Sequence, residues 1–318
     1  MRGAVNMTKV YLTRDFPGEG MERLKKHFEV AGNFTWLAPG REELLCQLED
    51  TEVLFTYNDV IDSGLLDAAP RLKLIVDHWG GGAVDREAAA GRGITIAQVP
   101  GSYGWIVNGV ADLVWGMMIS AGRRFQECSR FIRDGRFSHS EQSNHLLLGQ
   151  GLHGRTLGIL GAGRIGRAVA ARAGGFGMNL IYYDIAANEE IEGMGARLVG
   201  KDELFECSDY LTVHLSDVDE NRHFIGKQEL DQMKEDAILI NTARGRMIDE
   251  RALVRALQDK KIGGAALEVY EFEPEVSKEF FGMQNVLLLP HMGGALLRER
   301  SCIFSCMVDA CLEYYHIT

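Results

Sequence analysis

Thr156-Leu-Gly-Ile-Leu-Gly-Ala-Gly-Arg-Ile-Gly166 is the stretch around which the chain is organised. The apolar run 156–160 is short enough for a buried strand, and a helical pattern begins at Ile165. Between them, Gly161 permits a tight turn and Gly163 leaves the backbone open to a close neighbour. Gly166 lets the helix pack on the strand. A helix starting there points unpaired N–H groups and a positive dipole end at whatever lies over the turn, which suits a phosphate. A second apolar strand, 180–183, ends in Asp184, about 20 residues further on, where a carboxylate accepts from a ribose 2′-hydroxyl. Strand, G-x-G-x-x-G turn, helix and distal acid together form a dinucleotide-binding fingerprint.

Outward from that point the chain reads as two α/β units. The first has candidate strands at 9–12, 34–37, 53–57, 72–76 and 93–99, with helices at 20–28, 41–48 and 64–69 between them. Strands alternating with helices indicate a parallel sheet covered on both faces. This unit has no nucleotide fingerprint. Its one unusual loop is His78-Trp79-Gly80-Gly81-Gly82, at the carboxyl end of a strand, where open sheets bind ligands. A helix at 106–122 is apolar nearly all round and should be buried on several sides, as at an interface. Residues 128–153, with His139, His145 and His153, read as a polar arm with a turn of helix. The second unit continues with strands at 180–183, 210–215, 237–240, 264–267 and 286–289 and a helix at 250–260. The last helix, from about Leu297, is placed back on the first unit. The expected domains are 1–105 with 293–318, and 106–292.

A chain of 318 residues is long enough for two cores. Its net charge of −11 argues against nucleic-acid and acidic-membrane partners. The six cysteines form no C-x-x-C pair and read as free thiols of a reducing cytoplasm. Cys302 and Cys306 read as core packing, and no metal site is expected. No apolar run approaches 18 residues, and no signal peptide is visible. Residues 1–6, ahead of Met7, read as a disordered leader.

Three stretches of the second unit each follow a strand and each offer one reactive group. They are Asn241-Thr-Ala-Arg244-Gly, Glu268-Val-Tyr-Glu-Phe-Glu273-Pro and Pro290-His291-Met-Gly-Gly. A guanidinium binds a carboxylate and carbonyl. An imidazole can give and take a proton near neutral pH. A carboxylate beside it, here Glu273, can orient it and support its charged form. Beside a nicotinamide, this set suits reversible hydride transfer to a 2-keto acid.

These stretches, with Gly161–Gly166 and Asp184, resemble the signatures of the D-2-hydroxyacid dehydrogenase family, in order and at suitable spacing, over most of 72–294. The resemblance implies a flavodoxin-like substrate domain, discontinuous in sequence, and a Rossmann NAD domain, both doubly wound parallel sheets, with the active site in the cleft. It implies a homodimer acting on a small 2-keto or 2-hydroxy acid, with glyoxylate or hydroxypyruvate as first candidates. Arg244, Glu273 and His291 become the catalytic set. NAD would be held at Gly161, Gly163, Arg164, Ile165, Gly166 and Asp184, with His214, Thr242, Glu268 and Gly293 along its rim. Trp79, Gly80, Gly81 and Gly82 would bind the substrate, the glycine loop taking its carboxylate through backbone N–H groups. The chain departs from the family pattern in the spacing after Gly82, in the length of 102–109, and at Asp112, Ser216 and Glu268. Alternatives on the same fold are oxidation of phosphite or formate, and an NADH-sensing binding protein. The intact Glu273–His291 pairing disfavours formate, and the absence of an interaction tail disfavours the sensor.

Overall fold

A computed structural model describes residues 7–57, 59–78, 83–99, 102–139 and 145–317, with only the backbone at 98, 102 and 103. The leader at 1–6 and the loop Trp79–Gly82 lie outside the described residues. The chain divides into two compact units, residues 1–105 with 295–318, and residues 106–294.

The first unit carries strands β1 (Lys9–Leu12), β2 (Glu29–Gly32), β3 (Val53–Thr56), β4 (Leu74–Asp77) and β5 (Thr95–Gln98). They form one sheet in the order β2-β1-β3-β4-β5, parallel throughout. β3 and β4 are buried at every position, as strands covered by helices on both faces must be. Leu44, Leu48, Leu65 and Leu66 from the helices Arg41–Leu48 and Ser63–Asp67 pack on Leu54 and Ile75. The helix Leu297–Tyr314 returns to this unit, and its Phe304 stacks on Phe16.

The strand expected at 34–37 is not formed. Phe34, Trp36 and Leu37 are exposed, and the edge strand is Glu29–Gly32, paired in register with Lys9–Leu12. Apolar density pointed to the wrong segment because an edge strand is fixed by its backbone partner. Gly32 is selected there because a Cβ would press on the Leu12 carbonyl oxygen at 2.8 Å.

The second unit has seven parallel strands: β6 (Thr156–Leu160), β7 (Asn179–Tyr183), β8 (Arg197–Leu198), β9 (Tyr210–Val213), β10 (Ile238–Asn241), β11 (Gly264–Leu267) and β12 (Val286–Leu288). Their order is β12-β11-β10-β9-β6-β7-β8, the doubly wound dinucleotide-binding arrangement, with its switch point between β6 and β9. The helix Ser102–Gly122 starts four residues before its expected origin. Residues 104–122 of it are long and apolar enough to cross a membrane, contrary to the sequence reading. Yet Ala111, Val114, Trp115, Met117 and Met118 pack with Leu157, Ile159 and Val169 in this unit's own core, and Trp115 donates to the Val169 carbonyl.

The arm after it is more ordered than expected: Phe125–Arg133 is a helix of nine residues, not a single turn. Its strongly segregated faces, with Phe131 buried and Arg130 and Arg133 in the last turn, outweigh the charge that suggested irregular chain.

Candidate active site

The nucleotide turn shows why each glycine is required. Gly161 sits at φ +98°, and a Cβ there would meet the His214 backbone at 2.8 Å. A Cβ on Gly166 would strike the Gly161 carbonyl oxygen at 2.1 Å, so only glycine lets the helix Arg164–Ala173 lie this close to β6. Gly163 differs: no atom lies within 4 Å of where its Cβ would be, so the backbone faces open space. No side chain caps this helix. Arg164 is exposed and Ile165 half-buried at its start.

Asp184 ends β7 beside the turn. Its Oδ2 accepts from the Ala162 N–H and its Oδ1 from the Ile185 N–H, both at 2.7 Å. Each oxygen keeps a lone pair for a further donor. Beyond β9 and β10, Thr242 Oγ1 and both ring nitrogens of His214 are buried without a hydrogen-bond partner. Burial pushes the His214 pKa down to about 3, so the ring is neutral. An open glycine turn, an anchored carboxylate and unsatisfied polar atoms along one sheet edge fit a dinucleotide, whose own polar groups would satisfy them.

The carboxyl ends of β10, β11 and β12 carry the reactive groups. Asn241, at the end of β10, is buried; its Oδ1 accepts from the Ala243 N–H and its Nδ2 donates to the Arg244 carbonyl, both at 3.0 Å. This clamp fixes the loop that presents Arg244. Gly245 then passes against the next loop so closely that a Cβ would lie 1.8 Å from the Tyr270 carbonyl carbon. The Arg244 guanidinium is half exposed, donates to the Ala243 carbonyl, and has Nε 3.5 Å from Asp217 Oδ2. Asp217 also pairs with Arg246, which binds Asp219 as well. Asp217 and Asn241 were not singled out from the sequence. The signal for Asn241 was its place two and three residues before the groups it bonds; Asp217 carried none.

Glu273 and His291 meet. His291 Nδ1 lies 2.9 Å from Glu273 Oε2, and Glu273 Oε1 accepts from the Tyr270 N–H at 2.9 Å. The carboxylate is thus oriented on one side by backbone and orients the imidazole on the other. His291 sits at φ +49°, its N–H donating to the Glu268 carbonyl at 2.8 Å. Arg244 makes no hydrogen bond or ion pair to either of them; it is brought to the same sheet edge by the neighbouring strand.

Glu268 is buried at the end of β11. Its Oε2 accepts from the Met292 N–H at 3.1 Å, and the Gly293 N–H also bonds the carboxyl. A Cβ on Gly293 would come within 2.7 Å of Glu268 Oε1. Burial holds this carboxyl above the usual carboxylate range, opposed by His291 and those two N–H groups. Glu268 therefore anchors the histidine loop. His223 pairs with Glu271.

The comparisons with known proteins agree with this geometry. A family model described as D-isomer specific 2-hydroxyacid dehydrogenase, NAD binding domain, matches residues 115–293. The chain is similar to a glyoxylate reductase of Thermococcus litoralis, 40% identical over 297 residues, covering 92% of this chain and 89% of that protein. It is 37% identical to a glyoxylate reductase of Aeropyrum pernix over 298 residues, covering 92% and 88% of the two chains. Among solved structures, the TT0316 protein of Thermus thermophilus superposes with a TM-score of 0.86 at 32% identity, covering 98% of each chain. A glyoxylate reductase of Paecilomyes thermophila superposes with a TM-score of 0.76 at 33% identity, covering 95% of this chain and 93% of that one.

Proposed function

We propose, from the premise that this chain belongs to the D-isomer specific 2-hydroxyacid dehydrogenase family, that it reduces glyoxylate and similarly small 2-keto acids through Arg244, Glu273 and His291. The chain is an NAD-dependent 2-keto acid reductase. Bound NADH supplies the hydride that reaches the carbonyl carbon. Arg244 engages the substrate's carboxylate and carbonyl oxygen, polarising the bond as negative charge grows on oxygen. His291 carries the proton on Nε2, since Nδ1 faces Glu273, and gives it to that oxygen. In the oxidative direction Nε2 takes it back. Glu273 holds the ring at the angle this transfer needs and offsets its positive charge. Asp184 would accept from the adenosine ribose, and Gly163 and the helix start would take the pyrophosphate. Thr242, His214, Glu268 and Gly293 would flank the nicotinamide end.

The first unit serves as the substrate domain, its loop Trp79–Gly82 binding the carboxylate. The enzyme works in the cytoplasm as a homodimer. The apolar face of Ser102–Gly122 is buried within one chain, but Phe125, Ile132, Leu146 and Leu148 expose apolar surface for a second copy.

The observation that carries the reading is the 2.9 Å pairing of His291 with Glu273, itself fixed by the Tyr270 N–H. The test is NADH oxidation against a panel of 2-keto acids at saturating NADH. Glyoxylate should be turned over, and His291→Asn should lower kcat by roughly 10²–10⁴-fold with the NADH dissociation constant unchanged. Arg244→Ala should raise KM and lower kcat together. No turnover of any 2-keto acid would defeat the proposal.

A further inference from the structure

Arg244 and the Glu273–His291 pair stand on separate loops and share no hydrogen bond, yet both must meet one substrate in register. The loop that carries Arg244 is tied to the loop that carries Glu273 through Glu271. Its Oε2 accepts from the Glu250 N–H at 3.2 Å, and its own N–H donates to Glu250 Oε2 at 3.1 Å. Glu250 opens the helix Glu250–Gln258, so this reciprocal pair joins the segment running from Arg244 to the one ending in Glu273. The second oxygen, Oε1, accepts from His223 Nε2 at 2.6 Å, with the Arg222 guanidinium 3.7 Å away. His223 belongs to the segment after β9, which runs along the Arg244 segment. The His223 N–H donates to the Arg246 carbonyl at 2.8 Å, the Ile225 N–H to that of Met247, and the Asp249 N–H back to that of Ile225. One carboxylate thus holds the loops after β9, β10 and β11, three neighbours along the sheet edge.

Placing that carboxylate is costly. The Glu271 side chain and Glu250 are each 5% exposed, so two acidic groups are taken out of water side by side. Apolar side chains of similar volume would hold the loops together without that cost. They would not fix distance and angle, as a pair of reciprocal hydrogen bonds does. His223 reaches Oε1 from a φ of +51°, a backbone region that side chains other than glycine seldom occupy. The brace also leads straight to the proton donor. Tyr270, whose N–H fixes the Glu273 carboxylate, is the residue before Glu271. A shift of Glu271 therefore moves the group that orients Glu273, and through it the His291 ring.

We infer that Glu271, supported by His223, is a positioning residue of the reduction: it sets the Arg244 loop and the Glu273–His291 pair at their working separation and acts through them. The inference rests on the 2-keto acid reading proposed above and adds no chemical step to it.

The test is steady-state glyoxylate reduction by the full-length enzyme at saturating NADH, with NADH affinity measured beside it by fluorescence titration. Glu271→Ala should lower kcat at least about tenfold and raise KM for glyoxylate, because Arg244 and His291 no longer meet one substrate in register. The NADH dissociation constant should stay within about twofold of wild type. Glu271→Gln keeps an oxygen for the Glu250 N–H and an amide for His223, and should recover at least about half of the wild-type kcat. His223→Asn suits the positive φ but falls short of Oε1. It should lower kcat at least about threefold, and add nothing to Glu271→Ala in the double variant. His223→Asn alone carries the test if Glu271→Ala does not fold. Wild-type kcat and KM in either single variant overturn the inference, even where the thermal midpoint falls, since the brace would then be structural only. So does a Gln variant as impaired as the Ala variant, or a loss that appears equally in NADH binding. An unsubstituted enzyme that reduces no 2-keto acid overturns the reductase reading itself, and the role given to Glu271 with it.

Discussion

Asp184 is held by two backbone N–H groups, so its carboxylate cannot swing away from a ligand laid on the glycine turn. A 2′-phosphate brought beside it meets a fixed negative charge, and the following Ile185-Ala-Ala-Asn188 offers no cation to compensate. NADH should therefore be preferred over NADPH, and Asp184→Ser should narrow the ratio of their kcat/KM values by at least about tenfold. A wild-type preference for NADPH would sink this account. Two other side chains tie the molecule to pH. Burial depresses the pKa of His78, with help from Arg300, and that of His214, each to about 3, while an unfolded histidine titrates near 6.5. As pH falls, the unfolded chain takes up these protons first. The stability held by the neutral rings is complete above about pH 6.5 and is lost progressively toward pH 3. Each ring contributes a slope of up to about 1.4 kcal/mol per pH unit. Urea midpoints at pH 7 and pH 5 should show the decline, and His214→Leu should remove about half of it; an unchanged slope counts against this. Such roles are invisible in the sequence, because a histidine's protonation depends on what surrounds it. Arg244, Glu273 and His291 could be picked out because each follows a strand within a distinctive motif. Asn241 and Glu268 could not be given their roles, since both act by bonding backbone groups of a folded loop.

At the level of elements, the loops after β10 and β11 are locked by a contact of backbone on backbone. Gly245 has no room for a methyl group against Tyr270. Gly245→Ala should destabilise the second unit by at least about 2 kcal/mol, since the obstacle is main chain and cannot rotate away. It should also lower kcat, because the clamp from Asn241 ends on Arg244, one residue earlier. Denaturant titration with matched kinetics checks both, and a stable, fully active variant would contradict the contact. Strands were legible wherever they were buried on both faces, because a run such as Leu74-Ile-Val76 is apolar for one reason only. Of the four edge strands, β5 and β12 were legible and β2 and β8 were not. β2 carries one polar and three half-buried residues, and β8 is two exposed residues held by pairing with β7. Edge pairing leaves little mark on composition, and of the Phe-Thr-Trp-Leu run nearby Trp36 lines a pocket instead.

For the molecule as a whole, the apolar side chains of 125–148 that remain on the surface favour a second copy of the chain. Light scattering at micromolar concentration should give twice the mass of one chain, and Ile132→Glu should shift that mass toward a single chain. A monomer in the unsubstituted protein would remove the argument. The return of the helix Leu297–Tyr314 to the first unit has a consequence for the order in which the chain acquires its shape. Gly20 lies so near Phe304 that a Cβ would sit 2.9 Å from its ring, and Phe16 is covered by the same side chain. Those surfaces stay open until the ribosome has made nearly everything else. The segment translated first is thus completed last, and the dinucleotide unit, contiguous in sequence, can close before it. A nascent chain stalled ahead of residue 297 would carry a finished nucleotide fold behind an unsealed sheet, which is the state a chaperone would meet.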